Sequence, residues 1–233
     1  DMGVNMMHDF MKPLGFGQIT GIDLKGESKG VLPSTEWKKN TFKKPEQQKW
    51  YEGETISLGI GQGYNSFTIL QLAHAMANVA NNGVVMKPHL VKAIEDPFTR
   101  KRTLTTPKES YRIELNPENI EVIKKAMVEV NNSGTSATAF KGTGYVVGGK
   151  TGTAQVFSLN SKEYKHSATA EFLRDHALYI AFAPAEKPTI VIAMVVENAG
   201  FGAQYAAPIA RKALDFYIEG KWPKEIPEWK RAP

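Results

Sequence analysis

The chain of 233 residues contains no cysteine. Disulfide frameworks, thiolate zinc sites and cysteine nucleophiles are therefore excluded. It has no run of about 18 apolar residues, so no segment reads as a membrane span. No signal peptide is visible. The five histidines show no His-Glu-x-x-His spacing, so neither a metal site nor a cofactor is expected. RNP-type aromatic boxes and zinc-finger spacings are missing, which argues against a nucleic-acid partner. The acidic residues are scattered, without the pairing that glycosidase chemistry requires. An initiator Met is missing too. Asp1-Met2-Gly3-Val4 opens the chain, and a piece of a longer protein is the expectation.

What is present is ordinary for a globular chain: 42% hydrophobic and 23% charged residues. That suffices for one large domain or two small ones. The net charge is +5. Lys38, Lys39, Lys43 and Lys44 form the densest basic run, which reads as a solvated loop; contact with a polyanion or anionic headgroups is the alternative.

Along the chain, Val4, Met7, Met11 and Leu14 mark one helix face, stopped by Gly15 and Gly17. Residues 18–66 lack a clear period and read as a long ordered excursion, pinned by Trp37, Phe42, Trp50 and Tyr51. Gly59-Ile60-Gly61-Gln62-Gly63-Tyr64 fails as a dinucleotide fingerprint because Tyr64 replaces the last glycine; a tight turn fits better. It feeds a helix with Ile69, Leu72, Met76 and Val79 on one face and Gly83 at its C-terminal stop. Residues 84–94 and about 103–113 predict strands paired around Asp96-Pro97. Asn116 and Pro117 are the start signals of the next helix, with Ile120, Ile123, Met127 and Val130 facing the core. Residues 158–175 read as a mobile polar loop. Two apolar β-branched runs, 178–182 and 189–196, flank a Pro184–Pro188 turn, and 207–218 suits a helix with Pro208 in its first turn. The expected class is α+β, with antiparallel sheet strands packed with helices. The expected organisation is a body over 1–218, helical to about 140 and strand-hairpin-helix from about 145, then an extended tail over 219–233.

One stretch carries chemistry. Gly148-Gly149-Lys150-Thr151-Gly152-Thr153-Ala154-Gln155 puts a cation and two hydroxyls just before a β-forming run. On a strand, Lys150, Gly152 and Ala154 share one face and Thr151, Thr153 and Gln155 the other. Twist at a sheet edge lets Lys150 and both threonines reach one anion. Gly152 would let a ligand approach the backbone. An ammonium and two hydroxyls suit a carboxylate, at about 1.5–3 kcal/mol for each charge-assisted hydrogen bond. The bland alternative is a glycine-rich turn before a strand, with no ligand.

Taken with Thr20-Gly21-Ile22-Asp23-Leu24, Gly59-Ile60-Gly61-Gln62-Gly63, Gln71-Leu72-Ala73, Arg174-Asp175-His176, Phe182-Ala183-Pro184 and Glu197-Asn198, in that order, the stretch resembles the Lys-Thr-Gly box of the class B penicillin-binding protein transpeptidases. The likeness is to the C-terminal part of the domain, over Asp1 to about Tyr217, and most of all to the elongation-type branch, penicillin-binding protein 2, of Gram-negative bacteria. The resemblance implies peptidoglycan crosslinking, in which a serine attacks the D-Ala-D-Ala bond of a stem peptide and passes the acyl group to a neighbouring amine. β-Lactams mimic that substrate. It implies that Lys150 and Thr151 hold the substrate carboxylate, that the Thr153 hydroxyl meets it while the Thr153 N–H forms half of an oxyanion hole, and that Gln155 supports them. It further implies a periplasmic location, an upstream anchor in the inner membrane, and a glycosyltransferase of the elongation machinery as partner.

The departure from the pattern is as informative. None of the ten serines has lysine three residues on, so the Ser-x-x-Lys nucleophile box is not in this sequence. In the family that box lies upstream of the matching segment. The chain is therefore expected to be inactive alone. A sensor-type β-lactam-binding module and a serine β-lactamase, which also carries Lys-Thr-Gly, are the alternatives.

Overall fold

The computed structural model describes residues 2–156 and 169–221. The chain divides into two compact units, Asp1–Ile120 and Glu121–Pro233.

The first unit is mainly helical. Helix α1 (Val4–Met11) runs into a 3-10 turn over Lys12–Leu14, and Gly15 ends it with a left-handed φ of 105°. Val4 and Leu14 are buried as the period predicts. The 18–66 stretch is more structured than its composition indicates. It holds three short helices, α2 (Thr35–Thr41), α3 (Pro45–Gln48) and α4 (Glu52–Gly59). Each is too short to show a hydrophobic period. Ser34 caps α2 by accepting from Trp37 N at 2.9 Å.

The aromatic residues of this stretch pack mostly on one another. Trp37, Phe42 and Trp50 surround Tyr64, with ring centroids 5.2, 5.9 and 6.1 Å away. Lys38 lies in their midst, 3% exposed, with its ammonium on the Glu54 carboxylate and donating to Lys49 O at 2.8 Å. The same ammonium sits 5.3–5.6 Å from the centroids of Trp50, Tyr51 and Tyr64. Lys38, expected on a solvated run, is thus a buried cation in an aromatic box.

Helix α5 (Ile69–Ala80) starts at a capping box between Thr68 and Gln71. Polar residues are among its most buried. Gln71 donates to Gln18 O and Lys29 O at 2.8 and 2.9 Å, and Asn78 donates to Leu14 O at 3.1 Å. These two amides tie the helix to the backbone carbonyls of Leu14, Gln18 and Lys29. The helix closes through Asn82 and Gly83, both left-handed. Beyond it, β1 (Val84–Met86) pairs with β4 (Glu109–Arg112), and β2 (Ala93–Glu95) pairs with β3 (Arg102–Leu104), both antiparallel. The expected pairing around Asp96-Pro97 is therefore present, as two short ladders.

Helix α6 (Pro117–Asn132) has the Asn116 cap: its Oδ1 accepts from Glu118 N and Asn119 N at 2.9 and 3.2 Å. Of its expected core face, Ile120 is buried, Met127 and Val130 half-buried, and Ile123 exposed.

The second unit contains a three-stranded antiparallel sheet in the order β5-β6-β7: β5 (Gly148–Ala154), β6 (His176–Ala183) and β7 (Ile190–Val196). The hairpin across Pro184–Pro188 is as the β-branched runs predict. Helix α8 (Gly202–Glu219) packs on the sheet, burying Ala206, Ala207, Ala210 and Leu214 against Ala177, Tyr179, Ala181 and Ala183. Small residues on both surfaces let the helix and sheet approach closely. The helix starts five residues earlier than expected, so Pro208 lies inside it and not in its first turn. Packing of the alanine face outweighs the backbone bond that Pro208 cannot donate. Short helix α7 (Ala137–Phe140) adds Phe140, stacked on Tyr179 at 5.5 Å. The class is α+β, with helices packed on antiparallel sheets. The predicted loop over 158–175 falls partly, and the predicted tail over 219–233 mostly, outside the described residues.

Candidate functional site

Strand β5 is an edge strand of its sheet among the described residues, bonded to β6 along its length with Lys150 opposite Ile180 and Thr153 opposite Ala177. An edge leaves one side of the ladder for a ligand that binds as an extended chain. Lys150 is exposed, and Thr151, Gly152 and Thr153 are half-buried. The Lys150 ammonium donates to the Thr151 carbonyl at 2.8 Å, which keeps it against the strand. Gln155 follows the last strand residue and is exposed.

The glycines around this row are fixed by packing. A Cβ at Gly148 would overlap the Phe182 ring, and one at Gly149 the Tyr179 hydroxyl. At Gly152 a Cβ would stand 3.3 Å from Leu178 Cβ, a tight but adjustable contact. Gly202 is more constrained: its Cβ would strike Gly152 O and Leu178 O, so a bare backbone there lets the start of α8 press on the middle of β5.

Beneath the strand lies a buried polar network. Tyr179 Oη and Ser136 Oγ both donate to Asn131 Oδ1 at 2.7 Å, and Asn131 Nδ2 donates to Val147 O at 2.7 Å. Burial pushes the Tyr179 hydroxyl well above its usual range, so it stays a donor. This network anchors the end of α6 to the residue just before β5. It also places Thr135, whose hydroxyl lies 3.1 Å from that of Thr151. Sequence reasoning missed Thr135, because nothing in Asn131-Asn132-Ser133-Gly134-Thr135 signals a partner 16 residues away.

On the far side, Asn198, with a left-handed φ of 54°, donates through Nδ2 to Phe172 O and Arg174 O at 3.1 and 3.0 Å. Its backbone N–H donates to His176 Nδ1 at 2.9 Å. Arg174 Nε donates to Thr169 O at 3.2 Å. The Arg174-Asp175-His176 segment is thus held to the end of β7, and His176 lies opposite Ala154. A cavity of about 280 Å³ lined by Asn131, Phe140, Tyr145 and Val147 opens near the base of β5, and none of Lys150, Thr151 or Thr153 lines it. Ser158-Leu159-Asn160 spells Ser-x-Asn, but it follows the Lys-Thr-Gly strand and lies outside the described residues.

Chemically, the row offers one ammonium and three hydroxyls, those of Thr135, Thr151 and Thr153, in a short span of one unit. Among the described residues no group of histidine and carboxylate side chains could hold a metal ion.

Comparison with known proteins follows the same line. The description "Penicillin binding protein transpeptidase domain" matches residues 1–215. The peptidoglycan D,D-transpeptidase MrdA of Haemophilus influenzae is 40% identical over 96% of this chain and 34% of its own length. The chain thus spans about a third of the length of the curated relatives it matches. Among solved structures, PBP2 of Pseudomonas aeruginosa in complex with WCK 5153 superposes with a TM-score of 0.76 at 36% identity, over 97% of this chain and 47% of that one. A chain from a structure described as structural coordination of polymerization and crosslinking by a peptidoglycan synthase complex gives a TM-score of 0.74 at 27% identity, over 96% and 34%. The sequence and fold observations meet in one conclusion: this chain belongs to the penicillin-binding protein transpeptidase domain family.

Proposed function

We propose that this chain is the Lys-Thr-Gly part of a serine-type D,D-transpeptidase that crosslinks peptidoglycan stem peptides and is a target of β-lactams. The observation that carries the reading is the exposed Lys150 ammonium on an edge strand, followed by the Thr151 and Thr153 hydroxyls. In this reading Lys150 and Thr151 hold the terminal carboxylate of the stem peptide or drug. Thr153 adds its hydroxyl there, and its N–H faces the oxyanion of the tetrahedral intermediate. One such donor is worth about 2.7–4 kcal/mol in the transition state. Gly152 lets the substrate backbone lie close, and Gln155 supports the far end.

The attacking serine is not in this sequence, since no serine has lysine at the third position after it. The chain alone therefore neither transfers an acyl group nor is acylated. In the full-length protein the nucleophile comes from another segment. A periplasmic site and an upstream membrane anchor belong to the same reading, and the likeness to a peptidoglycan D,D-transpeptidase supports the substrate that would be met there. The likeness to a synthase complex of polymerization and crosslinking supports a glycosyltransferase partner.

Two measurements on the chain test this. Incubation with a fluorescent penicillin is expected to leave no covalent label; a labelled serine overturns the division of roles. Nuclear magnetic resonance titration with a penicillin is expected to shift the Thr151 and Thr153 amides, and Lys150→Ala to weaken binding about tenfold, the loss of one charge-assisted contact. Shifts confined to other residues overturn the site.

A further inference from the structure

The chain's positive charge is concentrated in one place that the Lys-Thr-Gly reading does not use. Between residues 87 and 108 stand six cations, Lys87, Lys92, Arg100, Lys101, Arg102 and Lys108, and two carboxylates, Glu95 and Asp96. Their net +4 compares with +5 for the whole chain. All six cations are exposed. At the tip of the β2–β3 hairpin, between Asp96 and Arg100, Phe98 stands 93% exposed.

The tip is rigidly built. Asp96 Oδ1 accepts from Phe98 N and Thr99 N at 2.9 and 2.7 Å. Asp96 N donates to Lys101 O, and Arg100 N to Asp96 O, at 3.0 and 2.9 Å. Arg100, at a left-handed φ of 57°, pairs with Glu95 at 3.0 Å. At the base, Asp23 accepts from Leu90 N and Val91 N at 2.7 and 2.9 Å, fixing the strand that leads into the hairpin. An aromatic ring displayed this fully on a braced turn, with cations on the returning strand, is preorganised for a ligand.

We propose that this hairpin is a holding site for the peptidoglycan polymer, with Phe98 stacking on a sugar ring and Lys101 and Arg102 pairing with stem-peptide carboxylates. The inference rests on the reading of peptidoglycan as the substrate. A ring face is negative and attracts the weakly positive C–H face of a sugar. Exposed lysine and arginine attract carboxylates over about a Debye length, ~8 Å at physiological salt. A polymer with repeated sugars and carboxylates meets both demands at once. A bilayer fits less well, because inserting Phe98 would carry the Asp96 carboxylate into the headgroup boundary. The Thr99 and Phe98 N–H groups hold Asp96 below its ordinary carboxylate range, which keeps that charge in place.

The test is cosedimentation of the chain with purified insoluble peptidoglycan, beside vesicles of equal parts phosphatidylglycerol and phosphatidylcholine, with penicillin binding measured on the same proteins. Phe98→Ala and Lys101→Glu/Arg102→Glu are each expected to weaken polymer binding about tenfold, as truncation of a contact anchor does, and to leave penicillin binding unchanged. Circular dichroism checks that the variants fold. Added salt is expected to weaken polymer binding by the wild type. No polymer binding by the wild type overturns the proposal, as does equal polymer binding by the variants. Vesicle binding as strong as polymer binding, lost in the same variants, overturns it in favour of a lipid surface. If polymer binding depends on the hairpin but penicillin is not bound, the hairpin stands and the proposed function falls.

Discussion

At the residue scale, tight space decides more than chemistry does. Gly149 has no room for a methyl group, because the Tyr179 hydroxyl occupies the place and is itself held by Asn131. Gly149→Ala is expected to destabilise the chain by about 2 kcal/mol, the usual cost of overpacking, read from the urea midpoint. Thr135 is a different case. It is exposed, and its hydroxyl lies beside that of Thr151. Thr135→Ala is expected to leave stability within about 0.5 kcal/mol, as surface changes do. The same variant removes a contact that orients the Thr151 hydroxyl and is expected to weaken penicillin binding several-fold, about 1 kcal/mol for one hydrogen bond.

At the element scale, the Lys38 box is what makes a firm body of α2, α3 and α4. A buried ammonium must be paired, and Glu54 is its partner. Lys38→Ala leaves Glu54 without its cation and is expected to cost about 3 kcal/mol, whereas Lys38→Met with Glu54→Gln is expected to recover most of it. Burial raises the Glu54 carboxyl, but Lys38, the Tyr51 N–H and the Tyr64 hydroxyl outweigh that and hold it below its ordinary 4.5. The sign follows directly. A carboxylate depressed in the folded state stabilises above its unfolded value and loses that contribution as pH falls through the folded value. Unfolding midpoints of the wild type are therefore expected to fall below about pH 4.5 more steeply than those of Glu54→Gln. The β2–β3 hairpin needs no such box. Its turn is closed by local bonds from Asp96, so it keeps its shape with nearly all its side chains exposed.

At the scale of the whole molecule, the sheet of the second unit ends in open strands. β7 pairs only with β6 among the described residues, and all seven of its residues are half-buried apolar ones. An apolar edge of that kind invites pairing with another chain. Light scattering of the isolated chain is expected to show association that rises with concentration, and a strictly monomeric species at all concentrations would count against it. Most of the longer elements were readable beforehand, whereas the short helices α2, α3 and α4 were not. Apolar β-branched runs around Pro184–Pro188 gave β6 and β7, Asn116 and Pro117 gave the start of α6, and the Lys-Thr-Gly stretch gave β5, because turn residues, caps and β propensity act within a few residues of chain. That Lys150, Thr151, Gly152 and Thr153 lie on one strand was legible for the same reason. Other features depend on partners remote in sequence: Lys38 among aromatic rings, Gln71 and Asn78 buried through bonds to distant carbonyls, Thr135 brought to Thr151, and Pro208 carried inside α8. No local pattern encodes such contacts, since each is settled by which surfaces exclude water together once the chain has closed on itself. The sequence by itself determined the longer elements and the chemical groups this protein displays; the tertiary structure alone decided the short helices, and which of those groups are buried, paired or left exposed.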